Sequence, residues 1–212
     1  MSPNFAQAVD RIFLPVLGLL DRLQRNEAVT PQEERTRLRL CFDQADATLG
    51  QSSDWQLARY ALAAWIDDLL IEAPWEGRQW WEENALEVEF FNSRDAYTTF
   101  YTKAVEAAAL PKKDALEVFY VCVVLGFRGM YRDASNVVLA EQMKLPADLH
   151  AWTKQTAMAI RLGQGRPPIN EGRREGAGAP PLEGRFRLVQ NSLIAVLAAA
   201  GTLGLALWLF GR

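Results

Sequence analysis

The side chains best suited to chemistry in this chain fall into three short segments. The first runs from Tyr60 through Asp67-Asp68 to Glu72 and Trp75. Neighbouring residues on a helix diverge by about 100°, so Asp67 and Asp68 cannot share a proton as a catalytic carboxylate dyad does. Asp68 and Glu72 lie four apart on one side, a mildly repulsive pair unless something positive sits between them. The second segment, Leu116 to Arg132, ends in Gly126-Phe-Arg-Gly-Met-Tyr-Arg132. Arg128 and Arg132 come after an apolar helical stretch, so at least one guanidinium is expected partly inside the fold with a carboxylate partner. Asp67 is the candidate for that partner. The third segment sets Trp75, Trp80 and Trp81 among Glu76, Glu82, Glu83, Glu87 and Glu89. Tryptophan beside carboxylates can mark a sugar cleft in which two acids flank a glycosidic bond. Tryptophans near a helix start more commonly anchor it to a core, and packing is the preferred reading.

Other chemistries lack raw material. His150 is the single histidine, Cys41 and Cys122 are far apart, and no Cys-x-x-Cys occurs. A metal site of His or Cys ligands is therefore not expected, nor any cofactor. No phosphate-binding Gly-rich loop or Gly-x-Ser-x-Gly elbow is found. The two cysteines sit in apolar helical patterns and read as small buried hydrophobes in a reducing compartment. The net charge of −3 hides a gradient, because Ser52 to Asp95 holds ten acidic and three basic residues. That balance argues against nucleic acid as a partner, which needs clustered Lys and Arg, and fits docking of a basic protein surface.

The elements that must position these residues read as helix after helix. Phe5, Val9, Ile12, Phe13, Val16 and Leu20 keep a 3.6-residue period in the first, with Pro15 predicting a kink and one lost hydrogen bond. Thr30-Pro31-Gln32-Glu33 has the form of a capping box opening a second helix that runs to about Gly50. Ser53 starts a third, which ends at Ala73 before Pro74 and carries an apolar stripe that leaves Asp67 and Asp68 on the opposite side. A Trp- and Glu-rich helix is expected over about 75–90, a fifth from Ser93 and Asp95 to Leu110, and a sixth over 112–125, apolar nearly all round. Gly126 and Gly129 then form a loop, and a last amphipathic helix covers about 146–162.

Beyond this all-α domain of about seven helices over residues 1–162, the composition changes abruptly. Residues 163–184 contain ten Gly or Pro in twenty-two and few hydrophobes, which predicts a flexible tether over 163–187. The segment 188–212 contains an uncharged apolar run of eighteen residues, Leu193 to Phe210. As a helix it would span roughly 27 Å, close to the roughly 30 Å hydrocarbon thickness of a bilayer. Arg173, Arg174, Arg185 and Arg187 precede the run and only Arg212 lies beyond it. The positive-inside rule then keeps the N-terminal domain in the cytoplasm and makes the chain tail-anchored and single-pass. Ala195, Ala198, Ala199, Thr202 and Ala206 give the anchor a small-residue face on which a homodimer could form.

The first two segments together carry a family resemblance. Tyr60-Ala-Leu…Ile-Asp-Asp…Ala-Pro-Trp75, followed by Leu116-Glu-Val-Phe-Tyr-Val-Cys-Val-Val-Leu-Gly-Phe-Arg-Gly-Met-Tyr-Arg132, resembles the DotU/TssL family of type VI and type IVB secretion systems. The resemblance implies a hook-like cytoplasmic domain of two small helical bundles and a non-enzymatic role in the bacterial inner membrane. It also implies an IcmF/TssM-like inner-membrane partner and contacts with baseplate proteins. Asp67, Asp68, Glu72, Arg128 and Arg132 are the cleft or partner-binding candidates. The chain departs from the family pattern at Asp68, at Glu76 and over Phe90 to Asp95, and reads as a short form without a peptidoglycan-binding domain. The alternatives are a type IVB rather than type VI subunit, and a tail-anchored regulator that binds a partner helix in a groove.

Overall fold

The computed structural model describes residues 1–133 and 136–163. Among them the fold is all-α, with no strand. The order is α1 (Pro3–Gln24), α2 (Pro31–Leu49), α3 (Ser53–Glu72), α4 (Arg78–Glu83), α5 (Leu86–Phe91), α6 (Ala96–Ala109), α7 (Asp114–Val124), a 3-10 turn (Gly129–Arg132), α8 (Val137–Gln142) and α9 (Leu149–Gly163). Each helix expected from the periodicity is present. The Trp- and Glu-rich one is broken in two at Asn84-Ala85, where the backbone turns extended, and α8 is an addition. No helix among the described residues is long and apolar enough to cross a membrane. The tether beyond Gly163 and the whole apolar run Leu193–Phe210 lie outside the described residues.

The centre of the domain is α3. It packs against α4, α5, α6 and α7, while α1 packs on α2, and α7 also meets α6 and α9. From Tyr60 to Asp67 every side chain is buried, so the stripe read from its large residues is in fact almost a full circumference. Alanine at positions 58, 61, 63 and 64 makes this possible, because small side chains let neighbouring backbones approach. The Cys122 thiol on α7 lies 3.7 Å from the Ala61 carbonyl. Buried residues from α1 through α9 form one continuous core, so the two bundles expected share α3 and have no separate interiors. Edge-on ring pairs join the elements, Phe13 with Trp65 at 5.0 Å and Phe100 with Phe119 at 4.8 Å between centroids.

Helix starts are fixed by distant carboxylates more than by local caps. Ser2 donates both its backbone N–H and its hydroxyl to Asp114 at the head of α7, each at 2.7 Å. Thr30 has the extended backbone of an N-cap, but its hydroxyl makes no capping bond, so the expected capping box does not form. Glu34, one residue after the predicted glutamate, is instead buried and paired with Arg22 of α1 at 2.6 Å. Ser52 rather than Ser53 caps α3, accepting from the Trp55 N–H at 3.3 Å. Gly50, at φ +64°, ends α2 in a conformation that a side chain would oppose.

Pro15 lies within an unbroken α1, between Ile12 and Val16, both fully buried. Its ring removes the N–H that would bond the Arg11 carbonyl. Pro15→Ala should therefore stabilise the domain by about 1–3 kcal/mol, part of the usual cost of an interior proline. Urea unfolding measures this, and an unshifted midpoint would mean that the Arg11 carbonyl already has a donor.

Candidate functional site

Asp67 is the organising residue of the site, and it is not the partner of an arginine. Its side chain points inward from α3 and accepts three hydrogen bonds. The Leu86 N–H and the Trp81 indole N–H reach Oδ1 at 2.9 Å each, and the Glu87 N–H reaches Oδ2 at 2.8 Å. The first amides of α5 have no carbonyl partner within the helix, so a carboxylate placed there satisfies them and complements the helix dipole. This explains the break at Asn84-Ala85. The chain leaves α4 and restarts where Asp67 can take the new helix's amides.

The arrangement is repeated one step further along. Glu87, in the first turn of α5, is itself buried and accepts from the Asp95 and Ala96 N–H groups that open α6, each at 3.2 Å. The Tyr60 hydroxyl donates to its Oε1 at 2.7 Å. Asp67 thus caps α5, and a residue of α5 caps α6. Burial pushes the Asp67 carboxyl up to about 7, against the pull of its three N–H donors and with a further push from the charge of Glu87. Burial, then the Glu87 bond, pushes the Tyr60 phenol well above its ordinary value.

The arginine belongs to Asp68. The Arg132 guanidinium lies 2.7 Å from Asp68 Oδ1 and also contacts Glu72 Oε1, so it sits between the two carboxylates that the helical spacing left in repulsion. Burial raises the Asp68 pKa, and Arg132 pulls it back. Arg132 is delivered by the turn after α7. Gly129 adopts φ +49°, and a Cβ there would lie 2.9 Å from the Tyr97 carbonyl and from the Phe127 ring. That ring is stacked on Phe100 with centroids 3.9 Å apart. The Tyr101 hydroxyl donates to the Arg128 carbonyl at 2.7 Å, which holds the turn from the other side. Arg128 itself does not enter the site. Its guanidinium bonds the Val123 and Phe127 carbonyls at 3.1 and 3.2 Å, closing the C-terminus of α7, while its backbone N–H faces Asp68.

Together these residues form one wall of a cleft of about 420 Å³. Asp67, Asp68, Glu82 and Glu87 supply its negative charge, Arg94 and Arg132 its positive charge, and Ile71, Tyr97 and Phe127 its apolar surface. Glu72 joins through Arg132. Among the described residues no group of three or more His, Cys, Asp or Glu side chains is placed to hold a metal ion.

This fold has a counterpart among known proteins. The family described as "Type VI secretion system protein DotU" matches residues 8–212. The chain belongs to the DotU family. The match covers nearly its whole length and includes both segments that build the cleft. Among solved structures, the cytoplasmic domain of TssL from Acinetobacter baumannii is similar with a TM-score of 0.56 and 22% identity, over 74% of this chain and 98% of that one. At that identity the likeness speaks for the fold. No curated protein matches the chain. As a DotU protein, the chain is a component of a type VI secretion system, a family of structural parts.

The anticipated residues fall out differently on this DotU domain. Asp67, Asp68 and Arg132 come together in the cleft, Glu72 joins them, and Arg128 is held apart. The tryptophans pack as expected: Trp81 is fully buried, and Trp75 and Trp80 lie against the core. Glu87 and Tyr60 escaped notice as a buried polar pair. The available signal was Asn84 interrupting the helical pattern ahead of Leu86-Glu87, which marks a new helix start in need of a cap.

Asp67→Ala should destabilise the domain by about 3–5 kcal/mol, because three buried donors lose their acceptor. A melt matching wild type would remove Asp67 from this role. The raised Asp67 pKa also sets a sign for pH dependence. The folded state holds the proton more tightly than the unfolded chain, whose carboxyl keeps its ordinary value of 3.8. The stability it contributes is thus complete below about pH 4 and is lost as pH rises through about 7, by up to about 1.4 kcal/mol per unit. Urea titrations at pH 5 and 7.5 should show this loss in wild type and a flatter dependence in Asp67→Asn.

Proposed function

We propose that this DotU protein is a tail-anchored structural subunit of a type VI membrane complex, with its helical domain in the cytoplasm and its C-terminus in the periplasm. In this reading the domain of residues 1–162, hook-like in outline, hangs on the 163–187 tether from an inner-membrane anchor within 188–212. It joins an IcmF/TssM-like membrane partner to baseplate proteins, and the anchor can also pair with a second copy. The role is non-enzymatic. The family match supports type VI over type IVB, and the apolar run with its arginine-rich approach supports the anchor.

The observation that carries the docking role is the composition of the cleft. Asp68 and Glu82, with Glu72 beside them and Arg94 and Arg132 among them, border an apolar floor as a receptor for a basic side chain on a partner, and electrostatic complementarity of this kind selects partners and their orientation. Asp68 is the carboxylate to test, since Asp67 is committed to the fold.

Asp68→Arg should abolish co-purification of the IcmF/TssM-like protein while leaving the helical circular dichroism signal unchanged. Undiminished co-purification would sink the cleft as a docking site. For the anchor, truncation after Leu162 should move the chain from the carbonate-resistant membrane fraction to the supernatant. Retention of the truncated chain on membranes would place the attachment in the helical domain instead.

A further inference from the structure

A second cavity lies between α6, α7 and α9 and shares no lining residue with the acidic cleft. It measures about 110 Å³, room for one small group. Its walls are apolar, built from Ala104 and Val105 of α6, Leu116 of α7, Pro146, and Trp152 of α9. Among its described lining residues Lys144 carries the only charge.

Polar groups open into these walls without partners. Thr156 is 7% exposed and lines the cavity, so its hydroxyl is shut off from bulk water. A helical threonine can return its hydroxyl to a carbonyl one turn back. Thr36, Thr48, Thr102 and Thr153 all do so, to the carbonyls of Gln32, Gln44, Thr99 and His150. The Thr156 hydroxyl makes no such bond among the described residues. Trp152, one turn earlier and 4% exposed, lines the cavity too. Its indole N–H has no acceptor among the described residues, whereas the indoles of Trp55, Trp75 and Trp81 each reach an oxygen. A buried donor left open carries the cost of its lost hydration until something in the cavity accepts its hydrogen bond.

Lys144 borders the same space from an exposed position. Its backbone, at φ +56°, closes α8 in the left-handed conformation where glycine is usual. The Lys144 N–H bonds the Glu141 carbonyl at 3.0 Å, and the Leu145 N–H bonds the Ala140 carbonyl at 2.8 Å, so the stem of the side chain leaves a fixed turn. No carboxylate among the described residues pairs with it. Lys113, by contrast, is committed, donating to the carbonyls of Ala108 and Leu110 at 2.6 Å each.

An ammonium, a hydroxyl and an indole N–H thus surround an apolar space, and the complement of three donors is an acceptor with negative charge and little other polar surface. We propose that this cavity binds a carboxylate on a short aliphatic stem, the chemistry shared by a glutamate side chain and a free short-chain acid. The carboxylate accepts from Thr156 and Trp152 and pairs with Lys144, while the stem lies against the apolar walls. The site does not depend on the acidic cleft's being a receptor, and it takes the opposite charge.

The test uses the full chain in nonionic detergent, with butyrate as probe and saturation-transfer NMR of its methyl signal as readout. Wild type should bind butyrate saturably, with a Kd on the order of 1 mM, as suits so small a ligand. Butyramide, which keeps the stem and lacks the charge, should bind roughly tenfold more weakly. Lys144→Gln should weaken butyrate roughly tenfold and close its gap to butyramide. Thr156→Val should weaken butyrate roughly threefold to tenfold, the worth of one hydrogen bond. The peptide acetyl-Ala-Glu-Ala-amide separates the sources: displacement of butyrate supports a partner's glutamate, and butyrate binding without displacement supports the free acid. If butyrate does not saturate, or binds both variants as it binds wild type, the site is overturned. Equal binding of butyrate and butyramide to wild type overturns the carboxylate assignment. Circular dichroism checks folding, and should Thr156→Val not fold, Lys144→Gln, at an exposed position, carries the comparison.

Discussion

A carboxylate buried in a helical core is tolerated only when its lone pairs are taken, and the path of this chain is shaped by that demand at Asp67. Its three donors come from two different elements, the indole of Trp81 in α4 and the first amides of α5. The relation is mutual: the carboxylate needs donors to remain inside, and the start of α5 needs an acceptor. Remove either, and the route between α3 and α6 loses its reason. The same exchange recurs at Glu87 with α6. Two successive corners of the domain are thus set by one kind of interaction, and both of those carboxylates also face the cleft.

Core and cleft surface are therefore divided between two adjacent residues. A helix sends neighbouring side chains in different directions, so Asp67 enters the core and Asp68 reaches the surface. The first holds the cleft wall in place; the second, with Glu72, pairs with Arg132.

The helical order was legible in the sequence because the large apolar residues keep a 3.6-residue period in most segments and proline or glycine marks their ends. The conjunction of an acidic pair on α3 with an arginine after α7 was also legible, through the residues that resemble the DotU family. The pairing within that conjunction was not. Asp67 and Asp68 are chemically identical, and a periodic pattern built from Trp55, Leu62, Ile66 and Leu69 points both away from the core. The pattern could not register that alanines at 58, 61, 63 and 64 let other helices close around α3, which turns Asp67 inward. Nor could local capping rules find the donors. They search within a few residues, whereas Asp67 lies 19 residues from the amide of Leu86.

That distance has a consequence for the segment between Phe90 and Asp95, which joins α5 to α6. A loop that leads into a helix ordinarily has to carry the capping residue itself, which restricts its sequence. Here the cap of α6 comes from Glu87, inside the preceding helix, and Asp95 makes no side-chain capping bond. Within the loop only Ser93 shares that duty, its hydroxyl accepting from the Asp95 N–H at 3.2 Å. Arg94, which bonds no opening amide of α6 and lines the cleft, can therefore be exchanged while Glu87 keeps the start of α6 in place.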